Sequence, residues 1–125
     1  MIIGTGIDII EVERIRASCE KFGERFTARI LLPSEIEYCF SHRDPAPFVA
    51  ARFAAKEAVS KAFGTGIGAS IGFHDIEVKR RETGEPYLVL HGKGEDLFRA
   101  RGAAKIHLSL SHTLQLATAI SILEQ

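Results

Sequence analysis

The sequence predicts an α+β fold in which an antiparallel sheet packs against a long central helix and several shorter ones. Three observations lead there. The stretch 48–64 is rich in Ala, Lys and Glu and reads as one unbroken helix. Residues 106–112 alternate cleanly, with Ile106, Leu108 and Leu110 on one side and His107, Ser109 and Ser111 on the other, as a strand does. The element order β-α-α-α-α-β-β-α-β-β groups helices and hairpins instead of alternating strand and helix, which points to α+β. At 125 residues the chain is expected to form one domain, residues 1–125, with a real core.

Composition narrows the class. Apolar residues make up 46% and charged residues 26%, as in a folded globular protein and not a disordered one. The formal net charge is zero, so nucleic-acid binding through overall charge is not expected. No apolar run is long enough to span a membrane, and the start Met1-Ile2-Ile3-Gly4 lacks the basic segment of a signal peptide. Cys19 and Cys39 lack C-x-x-C spacing and are expected to be reduced thiols of a cytoplasmic protein.

The elements justify themselves in order. Residues 1–10 read as a strand, because Ile2, Ile3, Ile7, Ile9 and Ile10 are β-branched. Asp8 interrupts that apolar run. A carboxylate there is costly to bury unless it is paired or binds a metal. As an N-cap it stands two isoleucines too early. Residues 11–24 read as a helix with Val12, Ile15 and Cys19 on its apolar edge, and Gly23 breaks it. Residues 26–32 form a second short helix or turn. Arg14, Arg16, Lys21, Arg25 and Arg29 outnumber Glu20 and Glu24 here, a local positive excess in a neutral chain. It is either a solvated helical face or the mark of an acidic protein partner. Pro33 and Ser34 open a third helix through Ile36, Tyr38 and Phe40. Residues 42–47 form a loop because of Pro45 and Pro47.

The central helix follows. Phe53, Glu57 and Lys61 share one stripe, and Arg52 and Lys56 the adjoining one. On spacing alone, Glu57 and Lys61 are an ordinary solvent-facing pair. The glycine run argues for more. One glycine stops a helix, yet Gly64 opens the run Gly-Thr-Gly-Ile-Gly that closes at Gly68. Such a segment lets backbone N–H groups approach an anion closely. It is no Walker loop, since it follows a helix and lacks the Gly-Lys-Ser/Thr ending. A carboxylate, three cations and a glycine loop are thus gathered within about five turns of helix.

Beyond the loop, residues 71–79 and 87–90 read as strands of a hairpin turned by Thr83-Gly84-Glu85-Pro86. Residues 94–101 form a short helix closed by Gly102. The strand 106–112 pairs through Thr113-Leu114-Gln115 with a last strand, 116–123, which carries Leu116, Thr118, Ile120 and Ile122 on one side.

Asp8 and Glu57 are the two carboxylates whose surroundings packing alone explains poorly. Mg²⁺ is typically held by one or two carboxylates, with water and phosphate completing the shell. The neighbouring cations and glycine loop suit the phosphates of a nucleotide-like substrate. No nucleophilic triad is present, since Ser109 and Ser111 have His neighbours only along one strand. The five histidines lack the spacing of a zinc site.

These residues carry a family resemblance. Gly6-Ile7-Asp8-Ile9, then Arg52-Phe53-Ala54-Ala55-Lys56-Glu57-Ala58 with Ser60-Lys61-Ala62, closely resemble the two signature motifs of the 4′-phosphopantetheinyl transferases. The continuation Phe63-Gly64-Thr65-Gly66-Ile67-Gly68, the small size and the stretch His107–Thr113 resemble the holo-acyl-carrier-protein synthase branch. The resemblance implies the fold of that family and its reaction. Coenzyme A gives its phosphopantetheine arm to a serine of apo-acyl carrier protein and leaves as adenosine 3′,5′-bisphosphate, as in fatty acid biosynthesis. By the same pattern Asp8 and Glu57 hold Mg²⁺, Lys61 contacts the phosphates, and Gly64, Thr65 and Gly66 line the coenzyme A site. Arg52 and His107 help bind it. Arg14, Arg25 and Arg29 match the surface that docks the acidic carrier protein. A homotrimer with sites between protomers is implied as well. One departure is Leu32, where the family often has Thr ahead of Glu35. The general base is left open between a water relay and Glu35. The competing reading is a binding module that holds coenzyme A or a nucleotide without turnover. Only an enzyme needs Asp8 and Glu57 within reach of one ion.

Overall fold

The structure, a computed structural model, describes residues 1–125. Its elements are β1 (Ile2–Glu11), α1 (Val12–Phe22), α2 (Glu24–Ile30), α3 (Pro33–Phe40), α4 (Ala46–Ala62), β2 (Ile76–Arg80), β3 (Pro86–Leu90), α5 (Gly92–Ala100), β4 (Lys105–His112) and β5 (Leu116–Glu124). Their order is the predicted one. The sheet, however, is divided. β1, β5 and β4 form an antiparallel three-stranded sheet with β5 central, and β2 pairs only with β3. The strand expected from residue 71 begins only at Ile76. Phe73–Asp75 forms a turn of 3-10 helix, and the Asp75 carboxylate accepts the Gly72 N–H at 2.8 Å.

α4 lies across the three-stranded sheet at very short range. A Cβ on Gly4 would overlap the carbonyl oxygen of Ala62, and one on Gly6 that of Ala58. These two glycines therefore let β1 rest on the helix backbone itself. β5 meets the helix with Ala117, Ala119 and Ser121, all buried. The small residues of the strands and the alanines of α4, Ala54, Ala55 and Ala58, make one close-packed seam.

Opposite the seam, several large side chains point to the other face. Ile7 is 64% exposed and Ile9 63%, and Leu116 and Ile120 are also exposed. Ile7 pairs with Ile120 across the strands, so these residues make one outward apolar face.

Beneath α4 lies a buried ionic cluster. Lys56 Nζ donates to Glu35 Oε1 at 2.6 Å, to the Ile30 carbonyl at 2.7 Å and to the Phe73 carbonyl at 3.1 Å. Glu35 also accepts the Leu32 N–H at 2.7 Å and the Val78 N–H at 2.9 Å. Burial pulls the Lys56 ammonium below its usual range, and Glu35 opposes the loss of the proton. Leu32 cannot cap α3 with its side chain, but Glu35 still closes the reciprocal half of a capping box.

Candidate active site

Alternation turns Asp8 toward the same side as Gly4 and Gly6, at the free edge of β1. Its backbone is pinned there, as the Thr118 hydroxyl donates to the Asp8 carbonyl at 2.8 Å. Its side chain meets the Glu57–Lys61 stripe of α4. Lys61 Nζ lies 3.1 Å from Asp8 Oδ1 and 2.9 Å from the Ile7 carbonyl. Glu57 is half-buried one helical turn earlier. Burial pushes its carboxyl above the usual range, the Asp8 charge adds to this, and Lys61 opposes it. Asp8 thus pairs with Lys61, one turn of α4 beyond Glu57.

The glycine loop is built differently from the expectation. The N–H groups of Gly64, Thr65 and Gly66 donate to Lys61, Ser60 and Ser60 carbonyls at 2.9, 3.1 and 3.2 Å. Gly68 N–H donates to the Ile71 carbonyl at 2.9 Å. The Gly64, Thr65 and Gly66 amides close the C-terminus of α4 and the Gly68 amide turns back onto Ile71, so these four N–H groups are spent within the chain and do not form the open anion cradle expected from sequence. Gly64 and Gly66 adopt left-handed φ of 81° and 68°. A Cβ on Gly66 or Gly68 would meet nothing, and one on Gly64 only the Arg101 side chain. At Gly66 and Gly68 the loop therefore leaves open space shortly after Lys61 in the chain. Arg101 is a further cation here that its position, closing a short helix, did not single out.

The three cations of the signature stretch do not converge. Lys56 is wholly buried against Glu35, which removes it from the phosphate site and removes Glu35 as an available base. Arg52 turns toward α3 and the β2–β3 hairpin. It is 2% exposed, and its Nε has no hydrogen-bond partner. It lines a pocket with Phe48, Arg80, Gly84, Pro86, Ser111 and His112. Neither Asp8, Glu57 nor Lys61 reaches that pocket. His107 is absent from it too. It stands on the outward sheet face, 3.0 Å from Glu124 Oε1. His112 is the histidine beside Arg52, five residues farther along the chain and turned inward at the end of β4. Sequence alternation distinguished the two faces but not which one Arg52 would meet.

Arg14, Arg25 and Arg29 are exposed on α1 and α2. Arg25 and Arg29 line a surface groove floored by Phe22 and Phe26, with Ser18 beside them. Of the other cations here, Arg16 is engaged, donating to Glu13 at 2.7 Å and to both Asp44 oxygens at 2.6 and 3.0 Å. Arg14, Arg25 and Arg29 form no ion pair within the chain.

Known proteins share this architecture. Residues 4–119 match the model of the 4′-phosphopantetheinyl transferase superfamily. The chain is 51% identical to the holo-[acyl-carrier-protein] synthase of Koribacter versatilis, over 99% of both chains. The crystal structure of the Neisseria meningitidis holo-[acyl-carrier-protein] synthase superposes with a TM-score of 0.92 at 34% identity, over 100% of both chains. The Bacillus anthracis holo-(acyl-carrier-protein) synthase, solved in complex with CoA (3′,5′-ADP), gives a TM-score of 0.82 at 42% identity, over 99% of this chain and 97% of that one. With nearly its whole length matched, the chain belongs to the 4′-phosphopantetheinyl transferase superfamily.

Proposed function

We propose that residues 1–125 form a single holo-[acyl-carrier-protein] synthase domain. It transfers 4′-phosphopantetheine from coenzyme A to a serine of apo-acyl carrier protein, releasing adenosine 3′,5′-bisphosphate. The observation that carries this reading is the ion pair of Asp8 with Lys61, which sets the Asp8 carboxylate against the α4 stripe that also carries Glu57 one turn earlier. A binding module needs only cations for phosphate, whereas an enzyme of this kind needs both carboxylates beside one ion.

The donor set fits Mg²⁺. Two neighbouring carboxylates repel one another, and such a pair accepts a hard divalent ion readily. Asp8 and Glu57 would hold it, and when bound it supplies charge neutralisation at the pyrophosphate. Lys61 adds an ammonium beside the same group. Gly64, Thr65 and Gly66 leave room for the coenzyme A backbone to pass. Arg52, with Arg80, Ser111 and His112, offers a second anion pocket for the remaining phosphate of coenzyme A. Arg14, Arg25 and Arg29 would meet the acidic carrier protein.

The two anion sites do not share a cavity within one chain. A homotrimer that brings one protomer's carboxylates to its neighbour's Arg52 pocket would complete the site, and the outward apolar face around Ile7 and Ile9 suits such burial. His107 lies on that face, so any contact it makes with coenzyme A would come across the interface. We place this activity in the cytoplasm, in fatty acid biosynthesis. The test is incubation with coenzyme A and apo-acyl carrier protein, with Mg²⁺ or with a chelator, followed by intact mass. The expected result is a phosphopantetheine mass gain that the chelator abolishes. Coenzyme A binding with no mass gain under any condition would favour the binding module.

A further inference from the structure

The Arg52 pocket has an unusual support. The Arg52 guanidinium carbon lies 4.3 Å from the centroid of the Tyr38 ring, and that of Arg80 lies 5.4 Å from the same centroid. Two like charges at one ring repel. A carboxylate between them would relieve the repulsion but cancel the charge. No carboxylate pairs with either arginine. An aromatic face attracts cations through its quadrupole and leaves their net charge intact. The buried, partnerless Nε of Arg52 is then a donor held ready for an incoming acceptor.

The ring is held in place. Tyr38 stands edge-on to His42 at 4.9 Å and to Phe48 at 6.0 Å. His42 and Phe48 stack at 3.6 Å with their planes 13° apart. Phe48 in turn meets His112 edge-on at 5.3 Å. The His42 ring is anchored by Nδ1, 3.2 Å from the Cys39 carbonyl. Tyr38 therefore belongs to an aromatic block that reaches the pocket through Phe48 and His112, both of which line it beside Arg52 and Arg80.

We propose that Tyr38 is a positioning residue: it holds Arg52 and Arg80 as an unneutralised pair, and that pair selects a donor bearing a phosphate monoester. This rests on coenzyme A being the donor. The pyrophosphate must lie where the bond breaks, beside Asp8, Glu57 and Lys61, and those residues line no part of this pocket. The phosphate left for the arginines is the 3′-phosphate. Tyr38 thus governs discrimination between coenzyme A and dephospho-coenzyme A, and acts through the arginines without touching the reacting atoms.

The experiment compares kcat/KM for coenzyme A and for dephospho-coenzyme A, with one carrier protein, in the wild type, Tyr38→Phe, Tyr38→Leu and Arg80→Gln. The wild type should prefer coenzyme A. Tyr38→Phe keeps the ring face and should keep that preference within about twofold. Tyr38→Leu should shrink it by about tenfold or more, through KM for coenzyme A and not through kcat. Arg80→Gln, a change at an exposed side chain, should shrink it likewise and guards against a folding defect in Tyr38→Leu. The proposal is overturned if Tyr38→Leu lowers both donors equally, if Arg80→Gln leaves the preference intact, or if the wild type does not discriminate. A wild type that transfers from neither donor would overturn the transferase reading itself.

Discussion

Lys61 Nζ bridges the Asp8 carboxylate and the Ile7 carbonyl, at 3.1 and 2.9 Å, and so ties the end of α4 to the edge of β1. The ammonium sits where two carboxylates converge and where a divalent ion would also be drawn. Asp8 cannot serve both fully with the same oxygen.

A first prediction follows from that competition. Lys61→Met should tighten Mn²⁺ or Mg²⁺ binding to the protein without coenzyme A by about two- to fivefold, the range of a partly exposed ion pair. Turnover should fall in the same variant, because the phosphates lose a cation. Calorimetric titration of the metal checks this. Weaker or unchanged affinity would show that Lys61 does not hold the place of the ion.

The second concerns Glu57→Gln. It should lower kcat/KM by at least about a hundredfold, and Asp8→Asn should do the same, with non-additive losses because both act through one ion. The stability effect has the opposite sign. Burial and Asp8 raise the folded-state pKa of Glu57 above its unfolded value. Its relative stability contribution is therefore full below the unfolded pKa and lost as pH rises through the folded pKa. At neutral pH the ionised Glu57 is a strain on the metal-free fold. Glu57→Gln should melt no lower than the wild type at pH 7 without metal, and calorimetry at pH 7 and at pH 4 checks that any gain disappears at the acidic end.

The third concerns assembly. The protein should sediment as a trimer, and Ile7→Asp should yield a monomer without turnover, since it charges the centre of the outward apolar face. Glu57→Gln and Arg52→Ala, each inactive alone, should recover about a quarter of wild-type activity when unfolded and refolded together, because random mixing joins intact halves in that share of shared sites. Recovery of nothing from a correctly assembled mixture would place both halves of the site in one chain.

Much of this site was legible in the chain. Asp8 stood out because a lone carboxylate amid isoleucines demands an explanation, and the structure pairs it with Lys61. The element order followed from propensity and turn chemistry. What failed depends on three-dimensional register. Lys56 carries the same charge as Lys61 and lies on the neighbouring stripe, but that stripe faces α2 and α3, where Glu35 meets it. The glycine run had the composition of an amide cradle, yet a helix C-terminus needs the same N–H groups, and it took them. His107 and His112 share a strand. Which one stands beside Arg52 depends on how α4 crosses the sheet, and no local pattern records that. Tyr38 was legible only as a helical position.

The fourth prediction tests the buried pair. Lys56→Met should destabilise by about 3 kcal/mol, because Glu35 is left charged and unpaired in the core. A fully apolar replacement, Glu35→Leu with Lys56→Met, should not restore wild-type stability. Glu35 also accepts the Leu32 and Val78 N–H groups, and each orphaned donor costs about 1–3 kcal/mol. Urea titration of both variants decides it. A double variant as stable as the wild type would mean that those backbone bonds are replaceable.

The last prediction concerns Arg14. Its side chain is exposed on α1 and unpaired, and Arg25 and Arg29 line the neighbouring groove over Phe22 and Phe26. Arg16, two residues on, shows the contrast, since Glu13 and Asp44 hold it in place as a structural clamp. Three cations with no partner in the chain, beside an aromatic floor, suit an acidic partner with an apolar contact at its centre. Arg14→Glu should therefore raise KM for carrier protein by about tenfold or more and leave KM for coenzyme A near its wild-type value. An exposed charge reversal on a helix usually changes stability little, so the melting temperature should barely move. Wild-type KM for carrier protein should also rise with added salt, because screening shortens the reach of these charges. The same salt series on Arg14→Glu should be flatter, with one steering charge gone. If both KM values move together, or if wild-type activity ignores salt, the basic surface of α1 and α2 is an ordinary solvated face and the carrier protein docks elsewhere.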